Sequence, residues 1–248
     1  MDKRKIENLS LVIPCFNEPE NIPLVIEQLK EIVYTSPFML EIIIVDGCST
    51  DTTPEILKKQ FDSLNPDNFK LVLQQERRGY GYDIIAGLNI ATHDVMAWTH
   101  ADMQTDINDV ILGLHLYKSL LDDNPSAKIL IKGKRVGRPL LDVVLTFGMQ
   151  LCSLLLLRSN LSDINAQPKI FSRTFYESFL KSGSPHDFSL DLFALIQAKR
   201  NKFSSHSFPV DFKKRVLGKA KGGGGSLKNR VNLIKRTFKY IFKLRQAG

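Results

Sequence analysis

The sequence predicts an α/β fold, a three-layer α/β/α sandwich around a mostly parallel central sheet. Three observations carry this expectation. Five short apolar bursts, Leu9–Ile13, Ile42–Val45, Leu71–Leu73, Val95–Trp98 and Ile129–Ile131, lack clear polar alternation. Such bursts suit strands buried on both faces. The segments between them repeat apolar residues every three or four positions, the period of a helix packed on one side. Strand and helix then alternate, which is the pattern of parallel-sheet architecture. With 248 residues, 43% hydrophobic and 24% charged, the chain has ample material for one such core and is neither a disordered polymer nor a disulfide scaffold.

In order, Leu9–Ile13 is the first strand, and Ile22, Val25, Ile26, Leu29, Ile32 and Val33 mark the first helix face. Ile42–Val45 is the second strand. Asp51 or Thr52 can cap the next helix, Glu55–Leu64, with Pro54 near its first turn. Leu71–Leu73, a helix over Asp83–Ala91, Val95–Trp98, a helix over Asp106–Leu121, and Ile129–Ile131 follow. Beyond about residue 132 the alternation weakens. Residues 139–157 read as a helix, 168–172 as a strand, 188–200 as a helix, and Ser205–Phe212 as a last strand. Gly222–Gly225 is a break, and no internal repeat is present.

Charge divides the chain. The formal net charge is +8, yet twelve cations and no Asp or Glu follow Asp211, which leaves −4 on residues 1–211. A mildly acidic body thus carries a basic tail. In that tail Leu227, Val231, Ile234, Phe238 and Ile241 share one helical face, with Lys228, Lys235, Arg236, Lys239 and Lys243 opposite. The opening Met1–Lys5 leads into too short an apolar run for a secretion signal. The longest apolar run, Val143–Leu157, falls short of the roughly 20 residues of a spanning helix. Cys15, Cys48 and Cys152 lack metal spacing and read as reduced thiols. The expected location is therefore the cytoplasm.

Ligands of open parallel sheets bind at the carboxyl ends of the strands, and these ends are rich in polar groups. The first ends Pro14-Cys15-Phe16-Asn17-Glu18, the second Asp46-Gly47-Cys48-Ser49-Thr50-Asp51, the fourth Thr99-His100-Ala101-Asp102-Met103-Gln104. Asp46 can accept hydrogen bonds from a nucleobase imide or a ribose hydroxyl. Asp102 and Gln104 offer hard oxygen ligands of the kind Mg²⁺ or Mn²⁺ takes. Each loop alone is as readily an ordinary turn.

Together these segments resemble the family 2 glycosyltransferases, whose fold is GT-A, a Rossmann-like nucleotide-diphospho-sugar transferase architecture. Pro14–Glu18 matches the family's P-x-[FY]-N-E segment, and Val45–Asp51 its V-D-D-G-S-T-D segment. Arg77-Arg78-Gly79-Tyr80-Gly81 matches a basic, glycine-rich turn, and His100–Gln104 the D-A-D-x-Q motif. Later segments resemble dolichyl- and polyprenyl-phosphate sugar transferases: Gly133-Lys134-Arg135, then Asp163–Phe171 with Gln167, then Pro209-Val210 followed by Arg215, Gly218 and Lys221. The resemblance implies one catalytic domain over residues 1–211. About 1–105 would form the nucleotide-sugar half and 106–211 the acceptor half, with 212–248 adding a phosphate-binding loop and an amphipathic helix.

The same resemblance assigns nucleotide-sugar contacts to Pro14, Phe16, Glu18, Asp46, Arg78, Gly79, His100, Ala101, Asp102, Gln104 and Arg135. It implies a divalent metal, Mn²⁺ or Mg²⁺, at Asp102 with Gln104 and His100. Gln167, Arg215 and Lys221 would bind the phosphate or acceptor, and Asp102, Asp163 and Arg215 would carry catalysis. Two positions depart from the pattern: Gly47 replaces the second aspartate of its loop, and His100 the first of D-A-D. His100 either ligates the metal itself, stands behind Asp102, or marks a relative that binds sugar nucleotide without turnover.

The implied reaction moves a sugar from a GDP- or UDP-sugar to a polyprenyl phosphate, with inversion. A sugar-hydroxyl acceptor in a soluble transferase of cell-surface polysaccharide synthesis is the alternative, as is a non-catalytic binder. A hydroxyl acceptor needs a carboxylate base, with Asp163, Asp187 and Asp191 as candidates. Asp187 and Asp191 equally suit helix capping near Ser189. A phosphate acceptor is already largely dianionic near neutrality and needs no base. The basic amphipathic tail then fits a peripheral contact with the anionic cytoplasmic face of a membrane; no nucleic-acid motif accompanies it.

Overall fold

The computed structural model describes residues 8–137 and 161–213, together with Arg215, Leu217 and Tyr240. In its first half, β1 (Asn8–Cys15) lies parallel to both β2 (Met39–Asp46) and β4 (Val95–Trp98), and β3 (Phe69–Leu73) lies parallel to β2. Leu9, Leu11 and Ile13 of β1 pack into one core, and Val12 into a second. Ile42 and Ile44 of β2 join the first, Ile43 and Val45 the other. Alternate side chains thus feed a core on each face, which is why these strands read as unbroken apolar runs. α1 (Ile22–Thr35), α2 (Thr53–Phe61) and α4 (Asp109–Asp123) cover one face. α3 (Tyr80–Ile90) and α5 (Leu190–Arg200) cover the other, completing the three layers.

The helix starts shift for local reasons. α2 begins at Thr53 because Asp51 Oδ1 accepts from Thr53 N at 2.9 Å, while Thr52 makes no side-chain cap. α3 begins at Tyr80, three residues before the expected start. Gly79 precedes it at φ 122, a conformation that favours glycine, and a Cβ there would lie 2.4 Å from His186 O. α4 begins at Asp109, after a turn in which Asp106 Oδ1 accepts from Asn108 N at 2.9 Å.

In the second half, β5 (Ile129–Val136) runs five residues past the expected end. The extension crosses Lys132, Lys134 and Arg135 and is held by parallel pairing with β7 (Ser204–Asp211), which continues to Val136↔Asp211. β6 (Lys169–Ser172) is antiparallel and sits between β4 and β5, giving the order β3-β2-β1-β4-β6-β5-β7. Its reversed direction has a consequence for the site. The start of β6, at Lys169, falls opposite Trp98 and Lys132, on the rim where the other strands end. A helical turn, Arg173–Phe175, continues into a π-helix, Tyr176–Leu180; neither is long enough to show a period in the sequence.

Several expectations fall outside the described residues: the helix over 139–157, Cys152, the glycine break, Lys221 and the amphipathic tail. Among the described residues, no helix is long and apolar enough to cross a membrane.

Candidate functional site

The rim gathers the ends of β1, β2, β4, β5 and β7 and the start of β6. At the β2 end Asp46 turns back into its own loop. Its Oδ2 accepts from Ser49 N at 3.0 Å, its Oδ1 from Ser49 Oγ, and the Cys15 thiol approaches Oδ1 at 3.9 Å. Asp46 is buried, so a base would meet it only as the floor of a pocket. Burial and the facing carboxylates push the Cys15 thiol well above its usual range, which makes it a packing group. Cys15 and Cys48 are free thiols, as expected.

At the β1 end Pro14 is paired with Val45 inside the sheet, so its role is to shape the strand end. Glu18 is buried and accepts from Asn21 Nδ2 at 2.6 Å and from Arg215 Nη2. That ion pair brings a residue 197 positions away onto the first strand's loop. Phe16 carries a guanidinium on its face, but it belongs to Arg77, whose Cζ lies 4.3 Å from the ring centroid. Arg78, expected among the nucleotide-sugar contacts, is turned outward: its side chain is 46% exposed and bonds Glu76 and Tyr82. Glycine 79 and glycine 81 dock the turn on the 185–187 loop, with Gly81 N donating to His186 O at 2.9 Å.

The β4 end places His100, Ala101, Asp102 and Gln104 together. His100 Nδ1 faces Asp102 Oδ2 at 3.9 Å, and its Nε2 lies 2.9 Å from the Tyr80 hydroxyl. Burial holds the imidazole below its usual pKa, with Asp102 opposing, so the ring is neutral near pH 7. If Nε2–H donates to Tyr80, Nδ1 presents a lone pair beside the Asp102 carboxylate. That nitrogen and oxygen pair is a donor set of the kind a divalent ion takes. Among the described residues no three His, Cys, Asp or Glu side chains cluster as a metal cage. Gln104 Nε2 donates to Lys213 O at 3.2 Å and Gln104 O accepts from Lys213 N at 2.7 Å, which ties the segment after β7 to this loop. Ala101 is buried under it.

Beneath these loops lies a polar network that sequence reasoning missed. Gln167 Nε2 donates to Tyr80 Oη at 3.3 Å and to Asp191 Oδ1 at 2.8 Å. Lys169, 0% exposed, pairs with the same Asp191 oxygen and lies 5.6 Å over the Trp98 ring. Gln167 was expected at the acceptor surface; it is buried and braces Tyr80, which in turn holds His100. Asp191 is not a helix cap but the counter-ion of Lys169. Asp187 closes the turn just before α5, accepting from Ser189 N at 2.9 Å. A lysine opening a strand and a helix-start aspartate carry no pairing signal in sequence, because they meet only when β6 reverses beside α5.

On the β5 side Asp163 binds Arg135 at three points. Its Oδ2 accepts from Arg135 N at 2.7 Å, and its Oδ1 from Nε at 2.9 Å and from Nη2. Arg135 also lies 5.1 Å over the Phe212 ring. Gly133 permits this arrangement, since a Cβ there would lie 2.1 Å from Gln167 O. Lys132, buried alongside, is pushed down to about 8 by desolvation and by Lys169.

Comparison with known proteins agrees with this layout. Residues 10–121 match the family described as Glycosyl transferase family 2. Over 113 residues the chain is 31% identical to an undecaprenyl-phosphate 4-deoxy-4-formamido-L-arabinose transferase of Yersinia enterocolitica, covering 44% of this chain and 33% of that protein. Over 208 residues it is 25% identical to glycosyltransferase AglD of Haloferax volcanii, covering 82% and 33%. The chain spans about a third of the length of these curated relatives. A crystal structure of Mycobacterium tuberculosis glucosyl-3-phosphoglycerate synthase with Mn²⁺ and UDP superposes with a TM-score of 0.70 at 16% identity, covering 96% of this chain and 80% of that one. The same synthase with Mg²⁺ and UDP gives 0.69 at 15% identity. The fold is therefore GT-A.

Proposed function

We propose that this chain is a family 2 glycosyltransferase that transfers a sugar from a nucleotide-diphosphate sugar to a polyprenyl phosphate at the cytoplasmic face of a membrane, with inversion. The observation that carries the reading is the juxtaposition of Asp102 and neutral His100 at the β4 end with Asp46 and Phe16 on neighbouring strands. It pairs a place for a diphosphate with a place for a base. The relatives from Yersinia and Haloferax support the transferase assignment, and the first of them carries undecaprenyl phosphate in its name.

Asp102 Oδ2 and His100 Nδ1 would hold a divalent ion, which when bound supplies Lewis-acid neutralisation of the leaving diphosphate. Tyr80 and Gln167 fix the imidazole that faces it. Arg135, locked by Asp163, and Arg215, locked by Glu18, place fixed positive charge on the same rim, where preorganised charge stabilises developing anions best. The acceptor phosphate oxygen forms a bond to the anomeric carbon as the bond to the diphosphate oxygen breaks.

The engaged state of the carboxylates favours a phosphate acceptor over a hydroxyl. Asp163 is bound to Arg135, Asp187 to Ser189 N, and Asp191 to buried Lys169. A hydroxyl acceptor must surrender its proton to such a group, whereas a phosphate needs none. The test is incubation with Mn²⁺, radiolabelled UDP- or GDP-sugars and polyprenyl phosphate in vesicles. Organic-extractable label is the expected result. Absence of lipid product with every donor, or transfer to a glycan hydroxyl without vesicles, refutes the reading.

A further inference from the structure

Asp83 in the first turn of α3 has no role in the mechanism above, yet it is 1% exposed and stands at the rim. Its Oδ2 accepts from Arg77 Nη1 at 2.7 Å, and its Oδ1 has no hydrogen-bond partner among the described residues. Burial pushes this carboxyl up to about 6 against the pull of Arg77, with Asp46 adding repulsion. A buried carboxylate oxygen left without a donor is costly, and one N–H aimed at it removes that cost.

The Arg77 guanidinium lies on the Phe16 ring, and Asp83 pins it there. Gly47 makes the contact possible: a Cβ at that position would lie 2.4 Å from Asp83 Oδ2 and 2.8 Å from Arg77 Nη1. The loop after β2 thus presses its bare backbone against the ion pair, and Asp46, one residue earlier, contributes the second carboxylate. Ser49 engages both oxygens of Asp46, so the acceptor left over beside the guanidinium is Asp83 Oδ1.

We propose that Asp83, together with Arg77 on Phe16, reads the imide edge of a nucleobase and sets which nucleotide the site takes. The inference rests on the nucleotide-sugar reading above. An imide N–H, as in uracil N3–H or guanine N1–H, donates to the carboxylate while a flanking carbonyl accepts from Arg77. Cytosine and adenine present a lone pair at the equivalent position, which a carboxylate repels. Asp83 thus adds, from a helix, a second carboxylate beside Asp46.

The test titrates UDP, GDP, CDP and ADP with Mn²⁺ into the full chain by calorimetry, with Mn²⁺-pyrophosphate as a probe lacking a base. The wild type is expected to bind UDP or GDP at least about ten-fold tighter than CDP and ADP, a difference of about 1.4 kcal/mol. Asp83→Asn is expected to weaken the preferred nucleotide about ten-fold and leave pyrophosphate within about two-fold. Gly47→Ala, whose Cβ displaces Asp83, is expected to do the same and carries the test if Asp83→Asn melts early. Unchanged base preference in both variants, or equal loss of pyrophosphate and nucleotide, overturns the proposal. A wild type that binds nucleotides without base preference also overturns it and leaves the transferase reading standing. No nucleotide binding at all overturns both.

Discussion

The two sides of the rim satisfy their charges by different means. On the β2 side the solution is local: Asp46 takes Ser49 three residues on, and Asp51 takes Thr53 two residues on. On the β5–β6 side it is distant: Asp163 takes Arg135 across 28 positions and Asp191 takes Lys169 across 22. A loop that satisfies its own carboxylate loses one modest hydrogen bond when altered. A buried pair assembled from separate elements leaves a naked charge when one partner goes. The β2 side is therefore expected to tolerate substitution, and the β5–β6 side to unfold or misplace the site.

The sharpest way to break that comparison is Lys169→Met. It strands Asp191 at the centre of the network, and a loss of about 3–5 kcal/mol is expected in denaturant unfolding. Lys169→Met with Asp191→Leu should recover most of it; a double variant no better than the single would show that the pair is not the cause. Next in size is Asp102→Ala, expected to lower Mn²⁺-dependent turnover about 100-fold, near 2.7 kcal/mol in barrier, with little change in melting. EDTA should reproduce that loss in the wild type, and restoration by Mn²⁺ is the check.

Asp109 gives a smaller, pH-dependent effect. Desolvation and the neighbouring Asp106 raise its carboxyl to about 6 from 3.8. The folded chain therefore holds this proton more tightly than the unfolded one. The stability this contributes is full below about pH 3.8 and is lost as pH rises through 6. Asp109→Asn should thus gain roughly 1 kcal/mol at pH 7.5 and nothing at pH 3.5, read from melting curves at the two values. Least of all, Ser49→Ala should cost about 1 kcal/mol, since Asp46 loses one partner and keeps its backbone donor. A loss as large as that of Lys169→Met would erase the distinction between the two sides.

The legible part of the fold follows the same division. Every strand expected from the apolar bursts is present, because burial on both faces demands an apolar run regardless of what surrounds it. The extension of β5 through Lys132 and Arg135 was not legible: it depends on β7 as a partner and on Asp163 as a counter-ion. At the site, His100, Asp102 and Glu18 were legible as residues at strand ends. Arg77 was passed over for Arg78, which differs only in being turned outward by Glu76. Asp83 and Lys169 read as helix and strand positions, Tyr80 as part of a glycine-rich turn and Asp191 as a candidate base or cap, since nothing in their neighbours along the chain reveals what they meet.

The sequence by itself determined the α/β class, the parallel strands of the first half, and the polar loops at their ends. These depend on period and on turn chemistry, which act over a few residues. Only the tertiary structure decided that β6 runs backwards between β4 and β5, that Gln167 braces Tyr80 rather than facing an acceptor, and that Asp83 meets Gly47. Those outcomes depend on which charges are brought together out of water, and a buried charge accepts whatever partner the packing delivers, however far away along the chain.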